Sequence, residues 1–120
     1  MAASGVSALL LSLSIFAADD VDVSGDWELT LQTAADAMKP RLSLEQDEQE
    51  ITGTYKDEFG SADVTGSVKG SEVTLKVKAK IPGEDLTVTF TGTVESDTMK
   101  GRVVFGELGE GTFTGLKVSS

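Results

Sequence analysis

The strongest constraint on the fold is the strict alternation of apolar and polar residues within Ser71–Glu95. In Val73–Ile81, and again in Leu86–Val94, an apolar residue or glycine occupies every second position. Pro82-Gly83 separates the two runs. Because a period of two places successive side chains on opposite faces of a strand, the pattern predicts an antiparallel hairpin with one buried and one solvated face.

Shorter runs with the same alternation lie on both sides of this hairpin. They predict further strands at Gly25–Thr33, Arg41–Gln46, Glu50–Lys56, Ser61–Lys69, Thr98–Phe105 and Thr112–Val118. Between the first two of these strands, Ala34–Met38 interrupts the alternation and predicts one helical turn before Pro40. The chain is therefore expected to be all-β, and residues 19–120 to form one domain.

A short glycine motif recurs in four of the predicted strands. The four copies are Ile51-Thr-Gly-Thr54, Val64-Thr-Gly-Ser67, Phe90-Thr-Gly-Thr93 and Phe113-Thr-Gly-Leu116. Each glycine follows an inward apolar residue by two positions and so shares its face, where a missing side chain lets a strand coil sharply. Together with eight strands joined in order, the motif predicts an eight-stranded antiparallel up-and-down β-barrel; a β-sandwich is the alternative.

The connections between strands predict two unlike ends of this barrel. The tight connections are Asp47–Gln49, the turn around Gly70, and Ser96-Asp97. The connections expected to be mostly longer, at the other end, are Thr33–Pro40, Asp57–Gly60, Pro82–Asp85 and Gly106–Gly111. In a meander alternate connections share an end, so one end should be shut and the other loosely covered.

The start of the first strand, Ser24-Gly25-Asp26-Trp27, resembles the Gly-x-Trp signature of the calycin superfamily, which includes lipocalins and avidins. This resemblance implies that Trp27 plugs the shut end and that a basic residue of the last strand, here Lys117, packs over the indole. Such a cation–π contact contributes about 0.5–2 kcal/mol. The chain is shorter than a typical lipocalin and lacks the inward polar residues of avidins, so biotin binding is not implied.

A second likeness covers residues 24–117. Trp27, Leu42, Leu44, Gln46 and Ile51-Thr-Gly-Thr54 are similar to segments of small secreted bacterial domains. Those domains occur alone or appended to exported enzymes, and their activity is generally unassigned. The resemblance therefore implies a fold and an exported setting rather than a reaction.

The chemistry of the side chains narrows the function. The sequence contains no Cys and no His, which excludes thiol nucleophiles, Cys and His zinc ligands and imidazole catalysis. No pair of inward carboxylates is expected, so we predict no enzyme activity, no catalytic residue, no metal and no cofactor. The acidic residues of the loosely covered end are interpreted as a solvated rim; they are Asp57, Glu58, Glu84, Asp85, Glu107 and Glu110. A net charge of −10 makes nucleic acid an unfavourable partner.

Residues 1–18 differ from the rest because they carry no charge and are mostly apolar. The run is too short to span a bilayer and has the length of a signal-peptide apolar region, although no basic residue precedes it. Cleavage after Ala17 or Ala18 is expected, which predicts a secreted or periplasmic protein. The alternative is an N-terminal apolar segment that stays attached as an anchor.

The predicted inward face is almost entirely apolar, so the barrel is either filled by side chains or holds one small ligand. The candidate ligand-binding residues of the mouth and lumen are Met38, Tyr55, Phe59, Phe105 and Leu108. The predicted function is an exported, non-enzymatic binding module for a small apolar ligand, with a monomer favoured. The alternative is an accessory or protein-interaction domain with a filled core, including a protease inhibitor that acts through the arm Asp19–Ser24.

Overall fold

The computed structural model describes residues 20–34, 36–81 and 84–119 of the chain, and the predicted signal segment lies outside them. Every regular element in this part of the chain is a β-strand. The strands are β1 Gly25–Gln32, β2 Ala37–Met38, β3 Arg41–Asp47, β4 Glu50–Asp57, β5 Gly60–Lys69, β6 Glu72–Ile81, β7 Glu84–Glu95, β8 Thr98–Phe105 and β9 Glu110–Ser119. None of these residues belongs to a helix long and apolar enough to cross a membrane.

The sheet closes on itself. Each long strand pairs antiparallel with the next, and β9 returns to pair with β1, with Trp27 opposite Lys117 and Leu31 opposite Phe113. The eight long strands thus form a closed antiparallel barrel with up-and-down topology, as predicted, rather than a β-sandwich. Closure pairs the backbone groups that two edge strands would otherwise leave open.

The helical turn predicted for Ala34–Met38 is wrong. Ala37–Met38 instead forms the two-residue strand β2, which pairs with Leu31 and Gln32 at the end of β1. The reason is that β3 pairs with β1 only from Gly25 to Glu28, which leaves the far end of β1 without a neighbour on that side. Pairing with β2 supplies the missing hydrogen bonds, which outweighs the weak helical preference of five residues.

The core fills the barrel from the shut end upward. Among the described residues nineteen hydrophobic side chains are buried, and Phe90 and Phe113 meet edge to face within this core, with ring centroids 5.2 Å apart. The Phe113 ring lies over Gly92, where an added Cβ would come within 2.9 Å of Cζ. Ala79, Leu86 and Phe105, further toward the other end, are only partly buried.

The inward glycines of the recurring motif make the tight curvature possible, as the sequence predicted. A Cβ on Gly53 would lie 2.0 Å from the Ser43 carbonyl oxygen, and one on Gly66 would lie 2.1 Å from that of Thr74. Because no neighbouring backbone can yield by that much, only glycine lets the adjacent strands approach at these points.

The two ends differ less in loop length than the sequence suggested. Asp57 pairs with Gly60, and Ile81 with Glu84, so at two of the four connections expected to be longer only two residues separate the paired strands. The strands continue in register up to these connections, which leaves no further residues for a loop. Among the described residues, those that cover the open end, called the mouth below, are 33–34, 36–40 and 106–109.

Candidate functional site

The shut end of the barrel is sealed by an indole and a lysine. Trp27 is fully buried, and its Nε1 donates a hydrogen bond of 2.9 Å to the carbonyl oxygen of Val23. Lys117 Nζ lies 5.6 Å from the centroid of the Trp27 ring, within the range of a cation–π contact. Gly25 begins β1 with a φ of 126°, a value that residues other than glycine rarely adopt.

The residues before β1 form a cap, here Asp20–Ser24, that crosses the shut end. Gln46 holds it: the Val23 amide donates to Gln46 Oε1 at 2.8 Å, and Gln46 Nε2 donates to the Val21 carbonyl at 3.0 Å. The Val21 amide also donates to the Gly70 carbonyl at 2.9 Å. Most of the arm expected for a protease inhibitor is thus fixed to the barrel, and the buried Val23 extends the core beneath it.

Asp26 bridges the strands on either side of β1. Its carboxylate accepts hydrogen bonds from the hydroxyls of Ser43 on β3 and Ser119 on β9. These bonds, the one from Ser43 above all, hold the pKa of Asp26 below its usual value. The carboxylate therefore joins β1 to its two neighbouring strands at the shut end, and each of its oxygens accepts one structural hydrogen bond.

At the mouth, the barrel opens into a pocket of about 760 Å³. Its inward-facing wall is apolar and consists of Met38, Tyr55, Ala62, Val77, Ala79, Leu86, Val88 and Phe105. The rim includes Asp57, Phe59, Asp63 and Lys78. The volume falls within the range of about 300–1,000 Å³ typical of small-molecule sites, and an apolar wall with few polar groups is their usual composition.

Tyr55 and Asp57 form the polar corner of this pocket. The Tyr55 hydroxyl donates to Asp57 Oδ2 at 3.0 Å, and the Phe59 amide donates to Asp57 Oδ1 at 2.8 Å. Burial, and next the adjacent negative charge of Asp57, raise the pKa of Tyr55 well above its usual range. The tyrosine thus stays a neutral donor, and each carboxylate oxygen of Asp57 is held by one hydrogen bond.

The structure brings together four of the five ligand-binding candidates. Met38, Tyr55, Phe59 and Phe105 line the pocket, whereas Leu108 does not and is 69% exposed on the loop between β8 and β9. Phe59 is 82% exposed at its turn.

Sequence reasoning missed Ala62, and it did not assign Ala79 or Leu86 to the site. The signal available in the sequence was side-chain size. Ala62 and Ala79 occupy inward positions, whereas most other inward positions of the alternating strands hold larger apolar residues. Small side chains at the mouth ends of adjacent strands are what leaves the pocket unfilled.

A second depression, of about 540 Å³, lies on the outer surface across β1, β7, β8 and β9. Its lining includes four threonines, Glu28, Glu95 and Lys100, and Leu116 is an exposed apolar side chain there. Within the described residues, no group of three or more acidic side chains is placed to hold a metal ion. Comparison of the chain with family models, with curated proteins and with solved structures finds no match.

Proposed function

We propose that this protein is an exported, non-enzymatic binding module that holds a small apolar ligand at the mouth of its barrel. The observation that carries the proposal is the contrast between the ends: the shut end is packed and capped, whereas the mouth has an apolar pocket of about 760 Å³. Larger side chains at the same inward positions would have filled it, as they fill the rest of the lumen.

We further propose that the barrel is calycin-like. Support comes from Trp27, which follows Gly25 by two positions and seals the shut end beneath Lys117 of the last strand. In the calycin families the same arrangement leaves the opposite end free for ligands, which is where the pocket lies here.

Export with cleavage of the apolar segment requires that the cap stay in place. In the cap, Asp20 Oδ1 accepts a hydrogen bond from the Gly70 amide. Cleavage after Ala17 or Ala18 would leave every described contact of the cap intact. Mass spectrometry of the protein recovered from the medium or periplasm tests this: a mass beginning at Met1 would contradict cleavage.

Uptake of the neutral fluorophore N-phenyl-1-naphthylamine tests ligand binding. We expect its fluorescence to rise with the wild-type protein and to stay at the buffer level with Ala79→Trp, because the indole would occupy the pocket. Val104→Trp is the matched control, since Val104 faces outward on β8 next to Phe105 and is 39% exposed. Absence of uptake by the wild type, together with a native mass free of any bound molecule, would overturn the proposal.

The second candidate is a protein-interaction domain, favoured by the exposure of Phe59 and Leu108 on two of the mouth connections. Leu108→Asp should leave the melting temperature nearly unchanged and abolish capture of a partner; unchanged capture would contradict this role for the loop. An inhibitor acting through Asp19–Ser24 would first have to release the cap from Gln46. Deleting residues 19–24 would then have to abolish inhibition.

A further inference from the structure

We propose that the ligand of the mouth pocket is a cationic amphiphile: an apolar body that carries an amine or quaternary ammonium group, with Asp57 as its counter-ion. This inference rests on the proposed function and specifies its ligand class. The observations behind it are an apolar wall and, at a single corner of the pocket, one oriented carboxylate and two aromatic rings.

The carboxylate of Asp57 is set in place before any ligand arrives. One oxygen accepts from the Tyr55 hydroxyl and the other from the Phe59 amide, so the group cannot rotate without losing a hydrogen bond. An ionised carboxylate has about four acceptor positions, so each oxygen keeps one free toward a ligand. Because the carboxylate is already ordered, binding of a cation does not require a further loss of side-chain conformational entropy.

Two aromatic residues lie next to the same carboxylate. Tyr55 lies two residues before Asp57 and Phe59 two residues after it, and all three line the pocket. The negative face of an aromatic ring attracts alkylammonium groups by about 0.5–2 kcal/mol, and quaternary ammonium sites commonly use such rings. The exposed Phe59 side chain thereby acquires a function that core packing does not supply.

The charge of the surrounding rim has the matching sign. The described carboxylates on the mouth connections and nearby strand ends are Asp36, Asp57, Glu58, Asp63, Asp85 and Glu107. The described cations in the same region are Lys39, Arg41, Lys56 and Lys78, all exposed, and Arg41 is paired with Glu28. The rim therefore favours the approach of a cation and opposes that of an anion such as a fatty acid.

An organic cation fits these groups better than a metal ion. A hard cation such as Ca²⁺ takes six to eight oxygen ligands. The described pocket places Asp57 against an apolar wall and contains no cluster of three acidic side chains. One carboxylate beside hydrocarbon and aromatic surface matches a single positive charge on an apolar body.

Three ten-carbon probes that share a tail test the inference by displacement of N-phenyl-1-naphthylamine: decyltrimethylammonium, decanol and decanesulfonate. We expect decyltrimethylammonium to displace the fluorophore at a concentration at least about tenfold below that of decanol, as a cation–π contact and an ion pair together imply. Decanesulfonate should be the weakest competitor.

Asp57→Asn should reduce the preference for the cation over decanol several-fold, to the smaller preference that the aromatic rings alone supply. Asp97→Asn is the control, since it removes the same charge at the shut end and should leave the preference intact. Phe59→Leu, at an exposed position, should lower affinity for the cation alone.

Equal displacement by decyltrimethylammonium and decanol in the wild type would overturn the inference and leave the binding module standing. A preference for the cation that is undiminished in Asp57→Asn would equally overturn the role of this carboxylate. Failure of all three probes, with no uptake of the fluorophore, would instead remove the proposed function.

Discussion

At the scale of single residues, the turns of the shut end show where the backbone is under strain. All three are two-residue turns whose first residue has a positive φ: 57° at Glu48, 63° at Gly70 and 55° at Ser96. Glycine adopts this conformation freely, whereas any other residue pays about 1 kcal/mol or more. Only the middle turn has the residue that its geometry favours.

Ser96→Gly should therefore stabilise the protein by about 0.5–1 kcal/mol, the relief of φ strain less the greater entropy of an unfolded glycine. Chemical denaturation measures the change. Gly70→Ala is the reverse control: an added Cβ there meets nothing within 4 Å, so only the φ of 63° should destabilise that variant. A loss of stability in Ser96→Gly would show that the turn is not strained.

Tyr55 should make the stability of the protein fall at alkaline pH. Its pKa is raised in the folded state, so the unfolded chain releases the phenolic proton first, from about pH 10. The contribution is fully present below that pH and is lost as the pH rises toward the folded-state pKa.

Tyr55→Phe should accordingly show a shallower decline in unfolding free energy between about pH 10 and 12 than the wild type. The comparison at each pH cancels every contribution that the two proteins share. Parallel profiles for the two proteins would mean that the hydroxyl is not shielded from water.

At the scale of elements, one side chain makes two of the hydrogen bonds that hold the cap. Gln46 makes three hydrogen bonds to backbone groups, two of them to the cap and one to the Glu48 carbonyl at 2.9 Å. It thus joins β3, the turn that follows β3, and the segment that covers Trp27. A half-buried amide serves this purpose because it offers both an acceptor and two donors.

Gln46→Ala should destabilise the protein by about 2–3 kcal/mol, because the amide of Val23 loses its acceptor and the carbonyl of Val21 loses one donor. Gln49→Ala is the matched control, since that exposed side chain lies in the adjacent turn and should cost less than about 0.5 kcal/mol. Equal costs for the two variants would show that the cap adds nothing to stability.

At the scale of the whole molecule, shortening a buried side chain should lower the unfolding free energy more at the shut end than at the mouth. The shut end combines the indole, the cap and the densest part of the core, whereas the side chains of the mouth face a pocket. A cavity left inside a packed core cannot relax, but a side chain shortened on an open wall only enlarges a space already accessible to water.

Two identical substitutions test this gradient. Val73→Ala, at a fully buried position near the shut end, should cost about 2–3 kcal/mol, the loss of two buried carbons plus a cavity. Val88→Ala, on the wall of the mouth pocket, should cost about 1 kcal/mol and leave fluorophore uptake in place. Equal costs would indicate that the mouth is packed as tightly as the shut end.

Much of this architecture follows from the order of residues alone. The period-two alternation specifies eight strands and their buried faces, and the recurring inward glycine allows the coiling that closure needs. These are local properties, because the face of each residue depends only on its position along its own strand. The capping tryptophan could be placed for the same reason, since it begins the first strand.

Tertiary structure alone decided the pairing of β2, the tight turns at the mouth, the cap over the shut end and the extent of the pocket. Each depends on residues far apart in the chain: Val23 meets Gln46, and Ala62 and Ala79 leave the same space empty. Whether a short segment pairs or coils, and whether a lumen is filled, depends on what the closed sheet places opposite it. No local pattern contains that information, because it arises only when the first and last strands meet.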